Sequence, residues 1–139
     1  MQESAPPLIR LEDYRPPAYW IERVELRFEL EETCARVRAD LTLRRDASTS
    51  PGQTLVLDGR DLTLEGLALD GKSLTEDRFT ADAETLSITM EPDMPATFRL
   101  TVDTRIEPQN NTALEGLYRS GDMFCTQCEA QGFRKITYY

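Results

Sequence analysis

Two neighbouring stretches alternate apolar and charged residues, and this period of two constrains the fold more than any other feature of the chain. Successive side chains of a strand point to opposite faces, so one row is predicted to pack against a core while the other faces water. In "WIERVELRFEL" the apolar row is Val24, Leu26, Phe28 and Leu30. In "ARVRADLTLRR" it is Ala35, Val37, Ala39, Leu41 and Leu43. The short connection, residues 31–34, predicts a hairpin.

Further short strands follow along the chain. Asp70-Gly71, within "LTLEGLALDGKSL", predicts a two-residue hairpin turn because that turn requires residues that tolerate positive φ. "TLVLDG" and "RFTADAETLSITM" predict more short strands, and "ATFRLTVDTRI" predicts another with Phe98, Leu100, Val102 and Ile106 on one face. Prolines in residues 1–17 predict an extended arm. The fold class expected is all-β: an antiparallel β-sandwich or saddle formed by one domain, residues 1–139.

The composition excludes several classes of function. The formal net charge of -9 would repel a nucleic acid, so no nucleic-acid partner is expected. No apolar run approaches the ~20 residues of a membrane span, and the opening residues do not resemble a secretory signal. We therefore expect a cytoplasmic protein without a membrane partner. Histidine is absent, which excludes a histidine general base and restricts zinc ligands to cysteines and carboxylates.

The pattern changes at Pro108, and the rest of the chain is predicted to be a polar loop region. We expect one short helical turn near Ala113 to Leu117 and a break at Ser120-Gly121. Polar loops on a rigid sheet commonly carry function. The site is therefore expected near the C-terminus, in "MFCTQCEAQGFRKITYY".

Cys125 and Cys128 in that stretch have the spacing of half a zinc site, but no histidine or second cysteine pair completes four ligands. A redox pair needs the motif at the start of a helix, which an antiparallel sheet does not provide. Buried or half-buried structural thiols are the prediction for this pair, and Cys34, the third cysteine, fits reduced thiols better than a disulfide framework. Residues alone do not distinguish Glu129 from a solvated loop carboxylate.

The segment "NNTALEGLYRSGDMFCTQCEAQGFRKITYY" closely resembles a segment of the bacterial aminopeptidase N family, which are zinc metallo-aminopeptidases. "DYRPPAYWIERVELRFEL" is similar to the first strand of that family, so the resemblance spans most of the chain. It implies an N-terminal β-domain that covers one side of a thermolysin-like catalytic domain. The family's zinc ligands and catalytic residues lie in that domain, so this chain alone is expected to bind no zinc and to be inactive.

The resemblance also implies roles for two residues. Glu129 matches the glutamate that binds the free α-ammonium of a peptide substrate, and Gln127 matches the glutamine that lines the pocket for the first side chain. The cysteines would be structural neighbours. Because the family continues beyond "ITYY", residues 1–139 are expected to be a truncated domain whose partner is the missing catalytic domain and whose uncovered edge favours self-association.

Two alternatives of another class remain open at this point. The first is a free-standing β-sandwich module that binds a peptide or a partner domain. The second is a thiol redox protein that uses Cys125 or Cys128.

Overall fold

The structure is a computed structural model that describes residues 7–139. The predicted extended arm lies partly outside this range, at residues 1–6. From residue 7 to residue 18 the arm contains no strand and only a 3₁₀ turn at Leu11–Asp13. Leu8, Ile9 and Leu11 on it are 76%, 88% and 92% exposed and do not contribute to the core. Ala18, which directly precedes β1, is half-buried and packs against the core.

The described residues form an all-β fold, as predicted. The strands are β1 (Tyr19–Leu30), β2 (Ala35–Arg45), β3 (Leu55–Asp58), β4 (Thr63–Leu69), β5 (Lys72–Ser73), β6 (Phe79–Ala81), β7 (Thr85–Ile88), β8 (Thr97–Ile106), β9 (Gly116–Ser120) and β10 (Met123–Gln127). Other 3₁₀ turns lie at Glu76–Arg78, Pro108–Asn110 and Gly132–Lys135. No helix in this part of the chain is long and apolar enough to cross a membrane.

Two antiparallel sheets form the layers of a sandwich. The larger has the order β1-β2-β8-β4-β5 and the smaller the order β3-β7-β6. The main core lies between them and includes Leu41, Leu43, Leu86, Ile88 and Leu100, all fully buried. A second cluster lies under the C-terminal segment and joins Ala35, Val37, Ile106, Leu117 and Ile136.

Both predicted hairpins are confirmed. β1 and β2 pair antiparallel, with Leu30 opposite Ala35. Leu69 lies opposite Lys72 across the two-residue turn, where Asp70 and Gly71 have φ of 46° and 80°. A left-handed conformation at both positions is what that turn type requires.

The expected burial of β1 is wrong in part. Val24 and Leu26 are half-buried, but Phe28 and Leu30 remain 39% and 48% exposed. The row does lie on the core side, because these residues stand opposite the buried row of β2. Exposure arises because β1 is the edge of the larger sheet, where the second layer covers little of its end.

Candidate functional site

The segment after Pro108 forms a hairpin rather than the predicted short helical turn. β9 and β10 pair antiparallel, with Gly116 opposite Gln127 and Ser120 opposite Met123. The turn between them is the predicted break, where Gly121 has a φ of 60°. The helical turn near Ala113 to Leu117 is wrong because Leu114 and Gly116 adopt φ of 56° and 78°, which end a right-handed helix.

The two predicted site residues lie side by side where this hairpin ends. The backbone N–H of Glu129 donates to Oε1 of Gln127 at 3.1 Å, and the N–H of Gly132 donates to the carbonyl of Cys128 at 2.9 Å. The chain thus makes a tight turn over residues 128–132, with a cis peptide between Glu129 and Ala130. Gln127 and Glu129 are both exposed. The Gln127 side chain therefore supports the turn that presents the Glu129 carboxylate.

Glycine at position 132 brings the turn close to the hairpin. A Cβ there would overlap the carbonyl oxygen of Gln127 and stand 3.0 Å from the nitrogen of Gly116. The 3₁₀ turn that begins at Gly132 then places Ile136, which is buried, against the second cluster. The exposed turn is thus held by packed chain on its C-terminal side.

The chain end is anchored to the smaller sheet. Asp58 and Tyr139 exchange backbone hydrogen bonds of 2.8 and 2.9 Å. Tyr138 is buried against Gly59, where a Cβ would overlap its ring. Burial raises the pKa of Tyr138, and the nearby negative charge of Asp82 raises it further. The chain that follows residues 128–132 is therefore fixed to the smaller sheet, which restricts the positions that this turn can take.

Sequence reasoning missed the polar contacts that hold this region. Lys135 has only 10% of its side chain exposed, and its Nζ lies 3.1 Å from Oε2 of Glu115 and 3.6 Å from Oδ2 of Asp61. Asn111 donates from Nδ2 to the carbonyls of Glu115 and Leu117, at 2.7 and 3.0 Å. These partners come from separate loops, so no spacing in the sequence signals them. Asn111 is of a residue type that favours turns, but its type does not indicate which carbonyls it binds.

Two cations of this segment, Lys135 and Arg119, have partners other than Glu129. Lys135 pairs with two carboxylates, as above, and Arg119 donates to the carbonyls of Gly121 and Glu32 at 3.0 and 3.2 Å. The Glu129 carboxylate therefore stands on a supported turn and is accessible to a cation from outside the chain. A carboxylate in such a position can bind an ammonium or guanidinium group, strongly so only where a second surface excludes water.

Comparison with known proteins assigns the family. The aminopeptidase N of Caulobacter vibrioides is 45% identical over 139 residues, which is 100% of this chain and 16% of the relative. The chain belongs to the aminopeptidase N family. The Escherichia coli aminopeptidase N is 41% identical over 128 residues, 91% of this chain and 14% of the relative. The chain thus spans only about one sixth of these curated relatives. No family model matches it.

Solved structures of aminopeptidases share the fold. Legionella pneumophila aminopeptidase A, in complex with aspartic acid, superposes with a TM-score of 0.82 at 27% identity, covering 94% of this chain and 15% of that one. A Deinococcus radiodurans M1 zinc metallopeptidase bound to a Tyr-Ser-Ala substrate gives a TM-score of 0.67 at 17% identity, covering 87% and 29%. The predicted antiparallel β-domain is therefore the fold of an aminopeptidase domain.

The zinc implied by an aminopeptidase N relationship does not fit the residues of this chain. Histidine is absent from the sequence, and no group of three or more histidine, cysteine or carboxylate residues within residues 7–139 is arranged to hold a metal ion. Tetrahedral protein zinc sites take three or four such ligands.

The cysteines lie in positions that disfavour the redox alternative. Cys34 is buried at the β1–β2 turn, where its Sγ lies 3.8 Å from Oε2 of Glu31. Cys125 is half-buried on β10, and exposed Cys128 follows that strand. A Cys-x-x-Cys thiolate is usually stabilised at the N-terminus of a helix, and here the motif lies at the end of a strand. Cys125 is half-buried, as predicted, but the prediction of a buried or half-buried thiol is wrong for Cys128, which is exposed because it lies beyond the end of β10.

Proposed function

We propose that residues 1–139 form part of the N-terminal β-domain of a zinc aminopeptidase that removes amino-terminal residues from peptides, and that Glu129 binds the α-ammonium of the substrate. The observation that carries the proposal is the 45% identity to an aminopeptidase N across 100% of this chain. The exposed position of Glu129 on a supported turn agrees with it.

Physical chemistry explains why such an enzyme needs this carboxylate. An exopeptidase must recognise the chain end, and the α-ammonium that marks it has a pKa near 8 and is largely charged at neutral pH. When a catalytic domain covers the turn, a carboxylate there is withdrawn from water and pairs strongly with that cation. An internal peptide segment offers no cation and leaves the carboxylate desolvated and unpaired. Glu129 thereby selects free amino termini.

Gln127 is proposed to serve the same pocket in two ways. Its Oε1 accepts the N–H of Glu129, so it fixes the backbone that presents the carboxylate. Its side chain stands beside Glu129 and would line the pocket for the substrate's first side chain. The pocket thus joins one charged group that recognises the terminus to one neutral group that contacts the terminal residue.

Zinc and the peptide-cleaving residues are proposed to lie in a catalytic domain of the same polypeptide, outside this chain. That domain is the principal partner of the β-domain, and it supplies the opposite wall of the substrate cleft. The match to relatives of which the chain covers 16% and 14% favours this role over a free-standing binding module. A zinc ion bound in that domain would supply Lewis-acid chemistry at the scissile carbonyl.

The test is steady-state kinetics of the longer enzyme on a chromogenic alanine substrate. Breaking a buried charge pair costs about 2 to 5 kcal/mol, so Glu129→Ala is expected to lower kcat/KM about 30-fold to several thousand-fold. Glu129→Gln should lose less, because its amide oxygen still accepts a hydrogen bond. Cys128→Ser, one position away, is the matched control and should have little effect.

A substrate analogue without the α-amine separates recognition from general damage. Glu129→Ala should lose its preference for the amine-bearing substrate over the analogue, while Cys128→Ser keeps that preference. Near-normal kcat/KM in Glu129→Ala, or an unchanged preference, would show that Glu129 does not bind the ammonium.

The 139-residue chain alone provides a second test. We expect it neither to retain stoichiometric zinc in metal analysis nor to release amino-terminal residues from peptides. Zinc at one equivalent, or turnover by a rigorously purified sample, would contradict the placement of the catalytic apparatus outside this chain.

A further inference from the structure

β1 presents an open and unusually long sheet edge. It runs for 12 residues, Tyr19–Leu30, at the end of the larger sheet. Glu31 donates to the carbonyl of Cys34 at the hairpin turn, at 2.9 Å. Hydrogen-bonded and non-hydrogen-bonded pairs alternate along an antiparallel ladder, so the N–H and C=O groups of Val24, Leu26 and Phe28 point to the open side. Such an edge is a template for another strand.

The core-side face of this edge is apolar and incompletely covered. Val24 and Leu26 are half-buried, and Phe28 and Leu30 are 39% and 48% exposed. A strand that pairs with β1 would bring its own side chains beside this row. An apolar strand would therefore remove apolar surface from water as it forms backbone hydrogen bonds.

The opposite face carries an ordered pattern of charge. Arg38 on β2 binds Asp103 on β8, with Nε 2.7 Å from Oδ1, and Arg27 on β1 stands opposite Arg38. Two residues further along each strand, on the same face, the signs are reversed. Asp40 on β2 lies 3.1 Å from Arg99 on β8, and Glu25 on β1 stands opposite Asp40.

Arg38 and Asp40 are thus each neutralised by a residue of β8, while their β1 neighbours carry the same sign as they do. Like charges directly opposite each other destabilise a strand pair. Along β1 itself, Arg27 lies 3.6 Å from Glu29 and Glu25 pairs with Arg23, but both pairs are exposed to solvent and therefore weak. Arg27 and Glu25 can thus also take opposite charges from beyond the open edge: a carboxylate next to Arg27 and a cation next to Glu25.

We propose that β1 pairs antiparallel with β1 of a second copy of this chain, about a two-fold axis that places Leu26 opposite Leu26. This register puts Glu25 opposite Arg27 of the second copy and Arg23 opposite Glu29. On the apolar face it puts Val24 opposite Phe28. The two five-stranded sheets then form one continuous sheet.

The two-fold symmetry makes the pattern self-complementary. The charged residues of β1 alternate in sign as Arg23, Glu25, Arg27 and Glu29. If the axis is shifted by two residues along β1, fewer opposite-charge pairs form between the two copies. The register with Leu26 on the axis therefore forms more of these pairs. A two-fold contact of this kind also closes, because each copy uses its β1 edge once.

Sedimentation velocity of the 139-residue chain over a range of concentrations tests the proposal. We expect a reversible dimer. Arg27→Glu places two pairs of like charges in the interface and should raise the dimer dissociation constant about tenfold or more. The same change should leave the folded monomer intact, because the new carboxylate faces Arg38.

The double exchange E25R/R27E tests the register. Positions 25 and 27 then carry opposite charges again across the two-fold axis, so the dissociation constant should return towards the original value. The matched control is Arg10→Glu, which makes the same charge change on an exposed residue outside the sheet and should not alter dimerisation.

Several results would overturn the proposal. One is a monomer at every concentration, which is expected if only another segment of a longer protein covers this edge. Another is a dimer that Arg10→Glu weakens as much as Arg27→Glu does. A dimer that E25R/R27E fails to restore would refute the register. Hydrogen exchange gives an independent readout, since the N–H groups of Leu26 and Phe28 should gain protection on dimerisation, and a lack of protection would place the contact elsewhere.

Discussion

β1 and β2 are adjacent strands with the same alternation of apolar and charged residues, yet their apolar rows have different fates. The row of β2, from Ala35 to Leu43, is at most 1% exposed. The row of β1 stands directly opposite and ends with Leu30 at 48% exposed. The difference lies in the second layer: the smaller sheet and the C-terminal segment cover β2 and leave the end of β1 open.

The contrast between β1 and β2 separates two properties that an alternating sequence pattern does not distinguish: which residues share a face, and which residues are buried. A period of two determines which residues share a face, because it follows from the geometry of one strand. Burial depends on where another layer lies, which is a property of the whole fold. An apolar edge row is therefore a surface that suits a partner, whether a second copy or another domain.

Replacing one leucine of each strand by alanine should give the largest difference in the free energy of unfolding between β2 and β1. Leu41 is 0% exposed in the main core, so Leu41→Ala should lower the free energy of unfolding by about 2 to 5 kcal/mol. Leu30→Ala removes the same atoms from a half-exposed site and should cost below about 1 kcal/mol. Denaturant unfolding, with m-values compared between variants, measures both. Equal losses would mean that the end of β1 is covered in solution.

Gly132→Ala should disturb the packing of the C-terminal segment against β2. The added Cβ would overlap the carbonyl oxygen of Gln127, which is backbone and moves only with the hairpin. We expect a loss of about 1 to 3 kcal/mol and faster hydrogen exchange at the N–H of residue 132.

Gly121→Ala is the matched control in the same hairpin. Its Cβ would meet no atom within 4 Å, but its φ of 60° disfavours a side chain. It should cost about 1 kcal/mol and leave exchange at residue 132 unchanged. If both variants accelerate that exchange equally, the close approach of Gly132 is not what holds the turn.

Thr137→Val should stabilise the C-terminal segment where it packs against β2. The Thr137 side chain is 0% exposed, and its hydroxyl finds no hydrogen-bond partner within the described residues. Replacing it with an apolar group of similar shape should raise the free energy of unfolding by roughly 1 kcal/mol.

Thr104→Val is the comparison for that change. Its buried hydroxyl donates to the carbonyl of Ile136 at 3.2 Å, so its loss should lower the free energy of unfolding by about 1 kcal/mol. Thermal or denaturant unfolding of both variants gives the signs. A destabilising Thr137→Val would show that its hydroxyl is hydrogen-bonded in solution.

The sequence predicted local features well and long-range ones poorly. The alternation located β1, β2 and β8, and Asp70-Gly71 located its turn, because each signal involves adjacent residues. The β9–β10 hairpin escaped prediction because its strands, GLYRS and MFCTQ, place apolar residues next to each other instead of alternating them with polar ones. Its available signal was Gly121 between the β-forming residues Tyr118 and Phe124. The contacts of Lys135 with Glu115 and Asp61 depend on loops that meet only in the folded chain.

The beginning of β1, unlike its end, is hydrogen-bonded through a side chain to the loop after β2. The indole Nε1 of Trp20 donates to Oδ1 of Asp46 at 2.9 Å, and the hydroxyl and N–H of Ser48 donate to Oδ2. The Ser48 hydroxyl and then the Trp20 indole hold the pKa of Asp46 at about 2, below its ordinary 3.8. Each donor stabilises the ionised carboxylate.

This contact predicts a small dependence of stability on pH. A carboxyl group whose pKa is lowered on folding stabilises the native state above its unfolded pKa, and that contribution disappears as the pH falls through the folded value. The contribution of Asp46 should therefore be complete above about pH 4 and lost towards pH 2. Asp46→Asn should lower Tm slightly at pH 7 and flatten the decline of Tm between about pH 4 and pH 2, because the amide does not titrate.

Trp20 is the only tryptophan, so its fluorescence should shift in the wild type over the same pH interval and stay constant in Asp46→Asn. Asp82→Asn is the control: its pKa is also lowered, by the N–H groups of Glu84 and Thr85, but it should leave the tryptophan signal of the wild type unchanged. A fluorescence transition that persists in Asp46→Asn would show that the contact with Asp46 does not govern the surroundings of Trp20 at the start of β1.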